Sequence, residues 1–365
     1  MTEAIAIGGG LAGAAFAIEL ARHGRRVVIL ERTAGPHHKV CGEFLSAEAQ
    51  SLLAGLGVDV WELGARPSTH LGLEFGSYVA RVKLPFRAAG LSRYRLDQAL
   101  LDAAVRAGVE VRRGETVTKL EHDGATATVH TAGRAMPADR VALATGKHNL
   151  RGVQRPQTAN IAFKMQVRPD AAAAATLDEL VHLSMFRGGY AGVCLVEDGI
   201  ATICWVIERD ALGDTAVSWD AHAEFLSRRS VFFAEILRGA QPLWDKPVAV
   251  ASIPYGFLRG DIIAETIYPI GDQLVVIPSY TGDGTSLALY TGIMAAQAVL
   301  DERSAGRFQA AMSAKLRPQI AWARLANIAF VNTTAQRVTA TVARLAPWAL
   351  PPVATFIVNR TRLRV

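Results

Sequence analysis

The sequence predicts an α/β fold in which a Rossmann-like parallel sheet is assembled from separated segments, an antiparallel sheet is inserted into it, and a helical tail follows. Three observations carry this expectation. Residues 4–31 read as an apolar strand, a glycine-rich turn, a helix and a second apolar strand, the pattern of a parallel βαβ unit. From about 155 to 257 the pattern changes to short strands punctuated by turn residues, as in an antiparallel sheet. Residues 306–365 are apolar with helical character and include Phe308, Leu316, Ile320, Trp322, Phe330, Trp348, Phe356 and Ile357.

Taken in order, Ala4 to Ile7 is the first strand and Gly8-Gly9-Gly10-Leu11-Ala12-Gly13 follows at once. The helix is expected from Ala14 to His23, and the next strand ends on Glu31-Arg32. This is G-x-G-x-x-G between strand and helix with an acid after the second strand, a pattern that binds dinucleotides. Gly8 permits the tight turn, Gly10 lets a pyrophosphate approach the backbone, and Gly13 lets the helix pack on the sheet. The helix N-terminus offers free N–H groups to phosphates, and Leu11 and Ala12 of the glycine-rich turn count among the expected cofactor-binding residues. Glu31 can accept from both ribose hydroxyls of an adenosine.

A polar loop follows, in which His37 and His38 read as solvated. Ser46 is placed to cap a short helix. Leu71–Phe75 and Tyr78–Leu84 are strand pieces that break the α/β alternation and make a first excursion into the second lobe. A helix opening at Leu91–Asp97 puts Leu96, Leu100, Leu101 and Val105 on one face. Residues 116–120 and 125–131 form a hairpin through Asp123-Gly124, and Val141 to Gly146 returns to the first sheet. Strands are expected at 161–167, 181–186, 190–196, 200–207 and 248–253, with short helices near 217–238. Ile267–Ile270 leads back at Gly271-Asp272, and a helix runs from Thr285 to about Leu300. Pro347, Pro351 and Pro352 break the tail, because proline cannot continue a helix interior. The expected division is 1–70, 90–153 and 261–303 for the nucleotide-binding domain, 71–89 and 154–260 for the inserted domain, and 304–365 for the tail.

The 365 residues carry a net charge of +6, mostly on arginine, and no basic run shows the aromatic interleaving of a nucleic-acid surface. Three cysteines without ligand spacing, Cys41, Cys194 and Cys204, argue for a reducing, cytoplasmic setting, with no disulfide framework and no metal site. Cys194 and Cys204 read as sheet interior. No apolar run is long enough to span a bilayer, so no transmembrane segment is expected.

Four stretches together resemble the flavoproteins of the p-hydroxybenzoate hydroxylase type: Gly8–Gly13, Arg93-x-x-Leu96-Asp97, Val141–Gly146, and Gly271-Asp272 with Pro278-Ser279-Tyr280-Thr281-Gly282-Asp283-Gly284. Lys39-Val40-Cys41-Gly42 is similar to the geranylgeranyl reductase-like branch, which also holds flavin monooxygenases and halogenases. The resemblance implies a discontinuous FAD-binding domain of the glutathione reductase type with an antiparallel substrate domain. It implies that Asp272 takes a ribityl hydroxyl, that Gly282, Gly284 and the Thr285 helix face the flavin ring, that Arg93 reaches the pyrophosphate or ribityl chain, and that Val117 offers backbone to the adenine. Arg32, Thr145, Gly146 and Gly271 belong to the same cofactor segments. Cys41 and Gly42 would lie against the ring, although a buried structural cysteine reads equally well at Cys41.

Tyr190, Cys41 and Pro278 are the substrate-side residues, Pro278 because it resembles the proline of oxygen-activating members. No acid–base side chain stands out. The chain departs from the prenyl reductases, whose Tyr-x-Trp-x-Phe-Pro strand is replaced by Tyr190-Ala191-Gly192-Val193-Cys194-Leu195, and from the halogenases, whose Trp-x-Trp-x-Ile-Pro is absent. The expected activity is an FAD-dependent monooxygenase of secondary metabolism that hydroxylates a lipophilic aromatic or polyketide-like molecule with O₂. NADPH or NADH would dock only transiently, since no second glycine fingerprint exists. The alternative is a C=C reductase of prenyl-like chains; a halogenase, or a flavin protein without turnover that sits on a membrane surface, stands behind both. The tail reads as a cap on the substrate lobe or as a peripheral membrane contact.

Overall fold

Two large sheets hold most of the strands, and a short antiparallel ladder of Phe257–Leu258 with Val275–Val276 stands apart from them. The computed structural model describes residues 2–332 apart from 77, 124, 125, 214 and 216, together with 334, 336 and 341. The opening unit is β1 (Thr2–Ile7), α1 (Leu11–Arg22) and β2 (Val27–Glu31). β1 and β2 are parallel, with Ala4 opposite Val27 and Ile7 opposite Leu30. Their apolar runs are buried on both faces, as strands of a covered parallel sheet must be.

The chain continues through β3 (Phe44–Leu45), α2 (Ala47–Gly55), β4 (Arg66–Phe75), β5 (Tyr78–Gly90) and α3 (Arg93–Arg106). Next come β6 (Glu110–Arg113), β7 (Val117–His122), β8 (Ala127–Thr131) and β9 (Ala135–Leu143). Then follow β10 (Asn160–Arg168), α4 (Ala171–Leu177), β11 (Glu179–Phe186), β12 (Gly189–Leu195), β13 (Ala201–Glu208), α5 (Arg209–Leu212), α6 (Trp219–Arg229) and α7 (Val231–Ile236). The last elements are β14 (Gln241–Pro242), β15 (Val248–Ala251), β16 (Phe257–Leu258), β17 (Ile267–Pro269), β18 (Val275–Val276), α8 (Gly284–Leu300) and α9 (Ala305–Val331).

The first sheet runs β6-β2-β1-β9, with β17 also beside β9, and these five strands are parallel. The start of β9 turns into an antiparallel meander with β8 and β7. The second sheet runs β14-β10-β13-β12-β11-β4-β5-β3, with β15 beside β10. It is antiparallel except where β4 meets β11 in parallel, because those strands come from two separate excursions of the chain.

Helix starts follow local chemistry. Ser46 accepts from the Ala49 N–H at 3.3 Å, and Ser92 accepts from the Arg95 N–H at 3.2 Å, which satisfies donors that a helix leaves open. α1 and α8 pack face to face because Gly292 has no side chain. A Cβ there would stand 2.3 Å from the carbonyl oxygen of Ala12.

The structure corrects several details. α1 begins at Leu11, three residues earlier than expected. Val105 is exposed, so the buried face of α3 is carried by Leu96, Leu100 and Leu101. Pro318 lies inside α9 without ending it; it sits on the exposed side, where the ladder tolerates one missing donor. The Asp123-Gly124 turn and the breaks at Pro347, Pro351 and Pro352 fall on residues 124 and 342–365, outside the described residues. Among the described residues no helix is long and apolar enough to cross a membrane.

His222 is buried between the rings of Phe163 and Trp205, with no hydrogen-bond partner at Nδ1. Burial pulls its pKa down to about 4. An unfolded histidine takes its proton near pH 6.5, so between these values the unfolded chain binds more protons and stability falls as pH is lowered. Urea midpoints measured from pH 7 to 5 should therefore decline, and His222→Leu should show a shallower decline.

Candidate active site

β1, β2, β9 and β17 end on the same edge of the first sheet, and the residues just beyond them, Gly8, Arg32, Thr145 and Gly271, open one cleft of about 550 Å³. Crevices at the carboxyl ends of parallel strands are where such sheets bind ligands. The glycines divide by purpose. A Cβ on Gly8 would meet the Ala144 oxygen at 2.4 Å and one on Gly13 the Gly8 oxygen at 2.0 Å, so these two close the turn against the sheet. A Cβ on Gly10 would meet nothing nearer than 3.7 Å, and those neighbours are the cationic tips of Arg93 and Lys39. The space above Gly10 is left for something other than protein.

The charges near it are tied down. Arg93 holds Asp97 with two hydrogen bonds of 2.6 and 2.9 Å, and Lys39 reaches the same carboxylate at 2.7 Å. Burial opposes ionisation of Asp97, but Arg93 and then Lys39 outweigh it and bring its pKa to about 2. Two cations thus share one carboxylate, which leaves net positive charge beside the helix start at Gly10. Glu31 is nearly buried; its oxygens accept from the Gly9 N–H at 2.9 Å and from the N–H and hydroxyl of Thr33. Burial works against its charge, while Lys39 and these donors hold it below the usual carboxylate range.

At the other end, α8 begins at Gly284 without a side-chain cap, because Asp283 instead accepts from Gln319 at 3.0 Å. The first-turn N–H groups of α8 therefore face the cleft beside Gly282, whose φ of +73° places it in the left-handed region. Asp272 lines this side at 3.5 Å from Lys147. Beyond the loops the second sheet forms the wall. Its strands contribute Phe44, Ala162, Cys204, Val248, Ala249 and Val250, none of them charged. Tyr255 and Ser279, hydrogen-bonded to each other, complete this end.

A buried ion pair ties the loop before β3 and the start of α3 to β10 here. Glu43 and Lys164 are both fully buried and bonded to each other, while Glu43 also accepts from Gln166 at 2.9 Å and from the Arg93 N–H at 2.7 Å. Glu43 has φ +58°, a conformation that a non-glycine residue adopts only when its surroundings hold it there.

Of the expected site residues, Gly8, Gly10, Leu11, Ala12, Glu31, Arg32, Cys41, Gly42, Arg93, Val117, Thr145, Gly146, Gly271, Asp272, Gly282, Gly284 and Thr285 line this cleft. Gly13 packs beneath it. Tyr190 and Pro278 stand outside the lining. Tyr190 is buried in the second sheet with its ring edge-on to Tyr280. His37 and His38 line the cleft rather than standing in solvent, since His38 is stacked by Tyr94 and tilted against Trp244. Burial, with Lys164 next, takes the His38 pKa to about 4. Sequence reasoning missed Glu43, Lys147, His148, Tyr255 and the Val248–Val250 wall, which carry no motif and come from segments distant in sequence.

Residues 1–142 match the FAD binding domain family. The chain is 24% identical over 317 residues to the menaquinone reductase of Mycolicibacterium smegmatis, covering 81% of this chain and 75% of that protein. It is 25% identical over 327 residues to digeranylgeranylglycerophospholipid reductase 2 of Methanosphaera stadtmanae, covering 82% and 79%. A mutant of halogenase PltM in complex with FAD has a similar fold, with a TM-score of 0.74 over 97% of this chain and 81% of that one at 14% identity. The cleft fits FAD: it is long, its basic space above Gly10 is one a Cβ could enter, and two uncapped helix starts open into it.

Two outcomes are expected. Gly10→Ala should leave the melting temperature of the protein stripped of flavin unchanged yet weaken FAD binding about ten-fold or more, read by fluorescence titration. Lys164→Met should lower stability by about 3–5 kcal/mol in urea unfolding by stranding the Glu43 charge, and adding Glu43→Gln should recover most of that loss.

Proposed function

We propose that this chain is an FAD-dependent oxidoreductase of the p-hydroxybenzoate hydroxylase-like superfamily, that it acts on a lipophilic small molecule held against the second sheet, and that the reaction is reduction of a carbon–carbon double bond in a prenyl-like chain. The observation that carries the substrate class is the uncharged wall of Phe44, Ala162, Cys204, Val248, Ala249 and Val250. An apolar chain laid along it loses contact with water and displaces no bound ion. The reductase reading is supported by the relatives named for reduction of menaquinone and of a digeranylgeranyl phospholipid, and by Cys41-Gly42 lying in the cleft.

In this reading the flavin supplies the hydride chemistry, drawing its electrons from NADPH or NADH that dock transiently. The chain's own residues do the rest. Glu31 takes the adenosine ribose, with Val117 beside the adenine; Arg93, Lys39 and the start of α1 hold the pyrophosphate. Asp272 would hold the ribityl chain, and the free N–H groups at the start of α8 would favour negative charge on the flavin. The second-sheet wall orients the substrate and excludes water.

Hydroxylation of an aromatic or polyketide-like molecule with O₂ is the competing reading. It drew on Pro278, which stands outside the cleft lining.

The test is anaerobic. Protein bleached with NADPH or NADH should be reoxidised by a prenyl-bearing lipid without O₂, and the product should gain only hydrogen. O₂ uptake matched by oxygen in the product would replace this reading with the oxygenase. Val250→Asp, which sets a carboxylate in the wall, should raise KM about ten-fold while FAD content stays unchanged.

A further inference from the structure

The positive charge of this chain is not spread evenly. Beyond Glu302 the sequence contains no aspartate or glutamate but nine arginines and one lysine, so the whole excess of +6 lies in the last part of the chain. α9 opens this part, and its two sides differ. Leu316, Ile320 and Ala323 are buried against the body, whereas Trp322 is 49% and Leu325 57% exposed, with Arg317 and Arg324 exposed on the same turns. An amphipathic helix with arginine and tryptophan on its outer side suits the headgroup region of an anionic bilayer.

The same stretch of α9 packs against residues that adjoin the lining of the cleft. The Tyr280 hydroxyl donates to the Ala323 carbonyl at 2.8 Å, and Gln319 donates to Asp283 at 3.0 Å. The Arg324 stem lies over Gly256, where a Cβ would stand 2.4 Å from it, and Gly256 adjoins Tyr255 of the cleft. The exposed turn of α9 therefore lies behind the loops that carry Tyr255, Ser279 and Gly282 of the cleft.

We propose that the outer side of α9 around Trp322 and Leu325 docks this protein on an anionic lipid surface, so that the substrate end of the cleft opens where a lipophilic substrate resides. The purpose of this docking rests on the lipophilic-substrate reading; the docking itself does not. Charge selects the partner, since a face followed by basic residues alone attracts anionic headgroups, and the apolar pair supplies insertion.

Co-sedimentation of the FAD-loaded full chain with vesicles tests it. Phosphatidylcholine vesicles with about a third phosphatidylglycerol should pellet the protein at least about ten-fold better than pure phosphatidylcholine, and high salt should release it. Trp322→Ser with Leu325→Ser should weaken binding about ten-fold, with flavin content and melting temperature unchanged. Arg317→Glu should weaken it on anionic vesicles only. A chain that stays in the supernatant, or a double variant that pellets as well as the parent, overturns the proposal. So does a double variant that turns a dimer into a monomer on gel filtration, which would make the face an interface between copies. Vesicle binding by a chain that reduces no prenyl lipid would count against the reductase reading and leave the docking standing.

Discussion

The cleft depends on one buried charge. Glu43 is the last residue of the loop that passes over the site, and its carboxylate is shared by Lys164 and Gln166 of β10 and by the first N–H of α3. Neither carboxylate nor ammonium touches water, so each is stable there only while the other is in place. The pair thereby ties this loop and the start of α3 to β10 and holds the strained backbone of Glu43. A second carboxylate acts beside it, because Glu197 accepts from both the N–H and the hydroxyl of Ser92. Two acids at the start of α3 answer the partial positive charge of that helix end, and α3 in turn sets Arg93.

From this arrangement comes a gradient of polarity along the cleft. The loops after the parallel strands carry Arg32, Lys39 and Asp272, with Glu31 at the end of β2 and Arg93 at the start of α3, since strand ends and helix starts are where backbone N–H groups and charged side chains can stay solvated. The second-sheet strands carry methyl groups, an aromatic ring and a thiol, because their other neighbours are core. A long ligand with a charged half and a flat heterocycle satisfies both ends, and an apolar substrate is left to meet the wall. The substrate class thus rests on what the wall lacks as much as on what it contains.

The residues that the sequence singles out for the polar half of this site line the cleft. Glycine spacing, a strand-end acid and Gly271-Asp272 are local signals, and local signals survive because a tight turn or a helix start demands the same residues wherever the fold puts them. The reading failed where a residue's surroundings come from distant segments. His38 looked solvated in a polar loop, yet Tyr94 and Trp244 enclose it. Pro278 and Tyr190 looked like site walls, yet neither lines the cleft. Lys164 alternates with apolar residues on a strand and gives no hint that Glu43 lies opposite.

What the sequence by itself determined is the nucleotide-binding unit and the α/β class with its antiparallel sheet, both set by periodicities and turn chemistry within a few dozen residues. What only the tertiary structure decided is the wall of the cleft and the ion pair that holds it, along with the side of α9 that stays in solvent. Those depend on which strand neighbours which across the two sheets, and burial of a charge or exposure of a tryptophan is a property of that neighbourhood rather than of the residue.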